Sequence, residues 1–131
     1  MEALDTNILV RIATRDDDSQ LKKVERLMSD NFSAKNPAWV SIIVLAELAW
    51  VLTRRYGYLR PDVGAFLRQL LHTASIRVED HALAEHAIDL FLNSAADFSD
   101  CLILARNQSR SIFPTHTLDR KAAKLEGFQL L

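Results

Sequence analysis

Four acidic residues stand beside or inside apolar segments, where an isolated charge is costly to bury. Asp5 closes the first such segment, in Leu4-Asp5-Thr6-Asn7. Glu47 interrupts the most hydrophobic stretch of the chain, Trp39 to Leu52. Asp100 leads into Cys101-Leu102-Ile103-Leu104-Ala105, and Asp119 follows Thr115-His116-Thr117-Leu118. Carboxylates placed this way need a shared counter-ion. Hard oxygen donors suit a hard divalent cation. Such an ion can hold a phosphate and lower the pKa of a bound water.

Each acid also has a plainer reading. Asp5 can cap the helix that follows it, a role worth about 1 kcal/mol. Asp97-Phe98-Ser99-Asp100 reads as a helix start, with Asp97 capping and Asp100 favouring the positive end of the helix dipole. Asp119 can cap a short final helix. Glu47 fits none of these roles. Its neighbours Leu45, Ala46, Leu48, Ala49 and Trp50 are apolar, and a helix interior has no cap to make. Four separate caps need not share one edge of a fold, whereas a metal site must.

The elements that would position these acids alternate strand and helix. Residues 2–5 are expected as a first strand and Asn7 to Thr14 as a helix. A polar break at Arg15-Asp16-Asp17-Asp18-Ser19 precedes a second helix to about Asp30. Asn36-Pro37 stops helical structure, and Trp39-Val40-Ser41 follows as a strand. The segment Ile42 to about Arg55 is apolar on nearly all sides, which predicts a buried helix. Tyr56-Gly57-Tyr58 ends it. A further helix opens near Pro61 and runs to His72. Ser75 to Val78 is a third strand, and helices follow at 80–93 and 99–109. Ile112 to Thr115 is a fourth strand, 119–125 a short helix, and Phe128 to Leu131 an edge strand. Strands separated by helices pair in parallel, with their carboxyl ends along one edge. Ligands of such sheets bind at that edge. The four acids fall there by topology alone.

The chain has 131 residues with 49% hydrophobic and 25% charged side chains, enough for one domain spanning 1–131 and too few for two. The net charge of −1 argues against a broad basic surface, so nucleic acid would have to be met by local clusters. Candidate cations are Arg11, Arg54, Arg55, Arg106, Arg120 and Lys121, each of which also reads as ordinary surface charge. The single cysteine, Cys101, excludes an internal disulfide, fits a reducing cytoplasm, and reads as a small core residue. The longest apolar run, Ile42 to Leu52, is too short for a bilayer, and Met-Glu-Ala-Leu-Asp lacks the charged start of a secretion signal. The three glycines are scattered, which excludes phosphate-cradling loops. His81 and His86 stand at i, i+5, poorly spaced for joint metal ligation, and His72 and His116 are single.

At these residues the chain resembles the PIN-domain ribonucleases, in particular the VapC-type toxins of bacterial toxin–antitoxin pairs. The segments that carry the resemblance are Leu4-Asp5-Thr6-Asn7-Ile8-Leu9-Val10-Arg11, Val44 to Leu52 around Glu47, Ala96-Asp97-Phe98-Ser99-Asp100-Cys101-Leu102-Ile103, and Thr117-Leu118-Asp119-Arg120-Lys121. Their order and spacing run the length of the domain. The resemblance implies an α/β/α three-layer sandwich around a mainly parallel sheet of four to five strands. It also implies a Mg²⁺- or Mn²⁺-dependent endoribonuclease, a homodimer, and a cognate antitoxin protein. Asp5, Glu47, Asp100 and Asp119 take the positions of the acids that bind metal and catalyse. Thr6, Asn7, Asp97 and Thr117 take supporting positions, and Arg11, Arg54, Arg55 and Arg120 are the candidate RNA contacts. Cys101 replaces the usual small alanine, and Leu118 stands where an aromatic is frequent.

Three other readings compete. A haloacid-dehalogenase-type enzyme needs a second Asp two positions after the first, and here that position is Asn7. A receiver domain needs an acidic pair before its phosphoacceptor and a late lysine. A non-catalytic PIN-like module binding RNA or protein would have lost its acids, and this chain keeps them.

Overall fold

Caps decide where most of the helices begin. In chain order the elements are α1 (Thr6–Thr14), α2 (Asp18–Asn31), β1 (Ala38–Val40), α3 (Ile42–Arg54), α4 (Arg60–Leu71), β2 (Ile76–Val78), α5 (His81–Leu92), α6 (Phe98–Ser109), β3 (Thr115–Thr117), a 3₁₀ turn at Ala122–Lys124, and β4 (Phe128–Leu130). They come from a computed structural model that describes residues 1–131. The Asp5 carboxylate accepts from the Thr6 N–H at 2.7 Å, Asp17 from Gln20 at 2.9 Å, the Ser41 hydroxyl from Val44 at 3.2 Å, and Asp80 from Leu83 at 3.2 Å. Each oxygen satisfies a donor left open in a first helical turn. Helix α4 has no side-chain cap and carries Pro61 in its first turn instead. Helix α6 has Asp97 at its cap position, but the Asp97 side chain makes no cap bond.

The parallel pairing expected from strand–helix alternation is present. Strand β1 pairs with β2, Ala38 opposite Ile76 and Val40 opposite Val78. Strand β3 pairs with β4, Thr115 opposite Phe128 and Thr117 opposite Leu130. Together with the helices this is an α/β fold. The single central sheet of four to five strands is not formed: there are two sheets of two strands each. The segment expected as a first strand joins β1 through one bridge, Ala3 to Trp39. There the Leu4 N–H donates to Trp39 O at 2.9 Å and the Trp39 N–H to Glu2 O at 2.8 Å. Strands of three residues leave little ladder to extend. The β3–β4 pair is only partly covered, so little apolar burial welds it to the rest.

Three boundaries move for identifiable reasons. The fourth strand lies at Thr115–Thr117 rather than 112–115, because Ile112 and Phe113 are exposed and Pro114 has no N–H for a ladder. The strand around Trp39 stops at Val40 because Ser41 caps α3. The helix expected at 119–125 is only the 3₁₀ turn.

The apolar periodicity of the helices builds one core of 26 buried residues. Helix α3 packs on α1, α4 and α6, and α5 packs on α4 and α6. Gly64 permits the close approach of α4: a Cβ there would sit 2.3 Å from Leu92 Cδ2. The expectation that α3 is buried all round is overturned. Its inner face carries Leu45, Leu48, Ala49 and Leu52, while Ile43 is 77% and Trp50 51% exposed, and Glu47 stands exposed between them. Spacings of four and three place Ile43, Glu47 and Trp50 on one outer stripe. No helix is long and apolar enough to cross a membrane.

Candidate metal centre

Three carboxylates converge at the start of α6. Asp97 and Asp100 come from its cap position and first turn, and Asp119 from the turn after β3. One oxygen from each lies within 4.8 Å of the others. Helix geometry explains the first two, since residues three apart share a face. The third is fixed by its own turn: Asp119 Oδ1 accepts from the N–H groups of Lys121 (2.8 Å) and Ala122 (3.0 Å), and the Asp119 N–H donates to Thr117 Oγ1 at 3.0 Å. Asp119 therefore does cap the turn, and Thr117 steadies it.

The electrostatics follow from this crowding. Burial pushes the Asp100 carboxyl above the usual carboxylate range, and repulsion from Asp119 and then Asp97 pushes it further. One cation answers the group directly, Arg54, whose Nη2 lies 3.4 Å from Asp97 Oδ2. Three hard oxygen donors with one arginine between them suit a divalent cation, so this donor set fits the group that the sequence implies.

Asp5 and Glu47 do not belong to this set of three. They line a cavity of about 210 Å³ together with Thr6, Asn7, Arg11 and Arg55. Asp5 is exposed and uses one oxygen on Thr6 as a cap. Glu47 is exposed on α3, not enclosed by its apolar neighbours. Thr6 is buried and Asn7 exposed.

The candidate cations divide. Arg11 is held by Asp16 and by the Tyr56 hydroxyl at 3.3 Å, with its Nε buried and unpartnered. Arg55 lies over the Trp50 ring, 5.9 Å from its centroid. Arg106 is engaged by Asp80 at 2.9 Å. Arg120 and Lys121 are exposed.

Two residues that sequence reasoning missed organise the site. Arg60 Nη2 donates to Phe91 O at 2.8 Å and to Ala96 O at 2.6 Å, and its guanidinium lies 4.0 Å from the Phe91 ring centroid. It thereby pins the connection that delivers Asp97. Glu79 Oε1 accepts from the Ile42 N–H at 3.0 Å, and its own N–H donates to Val40 O at 2.8 Å. It ties the end of β1 to the start of α3. Neither residue sits in a pattern that marks it, because both act on backbone groups distant in the chain. Cys101 follows Asp100 in α6. It is fully buried, and burial pushes its thiol up to about 11.

Residues 3–125 match the family model described as PIN domain. No curated protein matches the chain.

Proposed function

The chain belongs to the PIN-domain family, and on that footing we propose that it is a metal-dependent endoribonuclease acting as the toxin of a toxin–antitoxin pair. The observation that carries this reading is the convergence of Asp97, Asp100 and Asp119 beside a single arginine. Asp100 and Asp119 would hold a Mg²⁺ or Mn²⁺ ion, with Asp5 and Glu47 contributing from the cavity they line and Asp97 in support. When bound, such an ion supplies a water of lowered pKa and offsets negative charge on the scissile phosphate.

The chain's own residues do the rest. Asp119 is locked by two backbone N–H groups through one oxygen, which leaves the other oxygen available. Asp100 has lost part of its hydration to burial, so a proton competes with the cation for it more strongly than for an exposed acid. Arg54 shields Asp97 and limits repulsion of an approaching phosphate. Arg55, Arg120 and Lys121 are the cations placed to offset an acidic pocket. The motifs around Asp5, Glu47 and Asp100 support the toxin role, and with it a homodimer and a protein antitoxin that covers the site.

The test is cleavage of an unstructured RNA by purified protein with Mg²⁺ or Mn²⁺, with the ends of the products sequenced. Products with a 5′ phosphate and a 3′ hydroxyl are expected; a 2′,3′-cyclic phosphate refutes water as the nucleophile. Thermal stabilisation by Mn²⁺ is expected as well, and its absence favours a non-catalytic binding module. Size-exclusion of the co-expressed pair tests the partners: a lone monomer under all conditions refutes both.

A further inference from the structure

Two histidines that stand on different helices meet where α4 ends and α5 begins. His72 is the C-cap of α4, and its backbone N–H donates to Arg68 O at 3.3 Å and Gln69 O at 3.1 Å. His81 is the first residue of α5. Strand β2 runs between them, with Ile76 and Val78 buried and Arg77 exposed. The two imidazole centroids are 6.4 Å apart, with the ring planes inclined by 75°. Both side chains line an open cavity of about 450 Å³, together with Thr73 and Arg77. One turn further along α5, Glu85 Oε2 lies 3.9 Å from His81 Nδ1.

Imidazole nitrogen suits borderline ions such as Zn²⁺, Ni²⁺ and Cu²⁺, whereas carboxylate oxygens alone suit harder ones. A Zn–N distance of about 2.0–2.1 Å sets two rings on one ion with their centroids about 5 Å apart. The rings of His72 and His81 therefore need to close by roughly 1.5 Å. Both side chains are exposed, so a turn of either ring disturbs no core packing. The backbone beneath them is already fixed by the end of one helix and the start of the next. Glu85 stands where a carboxylate behind a metal-bound histidine belongs. It favours the proton on Nδ1 of His81 and leaves Nε2 free to ligate. The cavity has room for the waters that complete the sphere. Arg77 opposes a cation, but it is exposed, and solvent and salt screen its charge.

We propose that His72 and His81 form a second metal site, separate from the three carboxylates, which takes Zn²⁺ through two imidazole nitrogens and water. An ion held there ties the end of α4 to the start of α5 and braces β2 between them. The site uses none of the residues of the nuclease reading, so either can fail without the other. The full chain without an affinity tag, carrying Asp100→Asn to weaken the carboxylate centre, is titrated with Zn²⁺ alone by calorimetry. Binding is expected, with a matching rise in Tm. His72→Ala or His81→Ala is expected to weaken it by about a hundredfold, and Glu85→Gln by about tenfold. All three positions are exposed, so the variants should fold, and Tm without Zn²⁺ checks that they do. Among the chain's four histidines, the ring resonances of His72 and His81 are expected to shift together as Zn²⁺ is added. Undiminished binding in either alanine variant overturns the proposal, as do shifts confined to one of the two rings. Failure of Zn²⁺ to bind, with inorganic phosphate held instead and lost on Arg77→Ala, also overturns it and assigns the cavity to an anion.

Discussion

At Asp97, Asp100 and Asp119 three carboxylates have one arginine among them; at Asp5 and Glu47 two carboxylates share their cavity with Arg11 and Arg55. The first group repels itself, which adds to the rise that burial gives the Asp100 carboxyl. The second carries its own counter-charge in its walls. An acidic site is therefore defined less by the number of its acids than by how much of their charge the protein leaves unanswered. Unanswered charge is where an external cation gains most.

The largest effect should come from removing that charge at its centre. Asp100→Asn is expected to lower RNA cleavage by about a hundredfold or more, and to shrink the Mn²⁺-induced rise in Tm. Both would be followed in parallel, since a mutant that keeps its metal shift but loses cleavage would show that the two roles are separable. Asp5→Asn tests the other region. Asn caps a helix as well as Asp does, so Tm should hold while cleavage falls; unchanged cleavage would reduce Asp5 to its cap and leave the three-acid group acting alone.

Support for the first region can be weakened without touching an acid. Arg60→Met removes two charge-assisted bonds to backbone carbonyls, each worth about 1.5–3 kcal/mol, and its loss should appear in denaturant unfolding. Arg54→Ala breaks only an exposed pair, so stability should change by less than about 1 kcal/mol. The same change should tighten Mn²⁺ binding modestly by freeing Asp97, and weaken RNA binding. Tightening of both would remove Arg54 from phosphate contact.

The smallest effect is a pH dependence. Burial first, and then Asp119 and Asp97, hold the Asp100 carboxyl above its usual range in the metal-free protein. A raised folded-state value favours folding most at acid pH, below the unfolded-state value, and this contribution is lost as pH rises through the folded-state value. Tm measured in chelator should show that decline, and Asp100→Asn should flatten it. A parallel slope in both proteins would assign the dependence elsewhere.

Much of this was legible from residue order. Asp5 announces the start of its helix by type, and strand–helix alternation implies parallel pairing; Ser41, expected as the end of a strand, caps α3 instead. Glu47 misled because its sequence neighbours are apolar. The spacing of Ile43, Glu47, Trp50 and Arg54 already traced an outer stripe, and two of those four are charged. Asp97 looked like a cap by position, yet its carboxylate turns to Asp100 and Arg54 instead. Strand extent was the least legible, because ladders are made between segments far apart in the chain. The β3–β4 pair could not be seen to stand apart from the sequence of either strand.

Cys101 occupies the position after Asp100, and its sulfur is sealed in the core. It is also the chain's single thiol, with ionisation suppressed to about 11. An alkylating reagent can reach it only when α6 opens, because reaction requires an accessible thiolate. Its rate of labelling is therefore a built-in clock for the fluctuations of the helix that bears Asp100. A cation that clamps the acids on the outer side of that helix would slow the clock from within the fold, without any added probe.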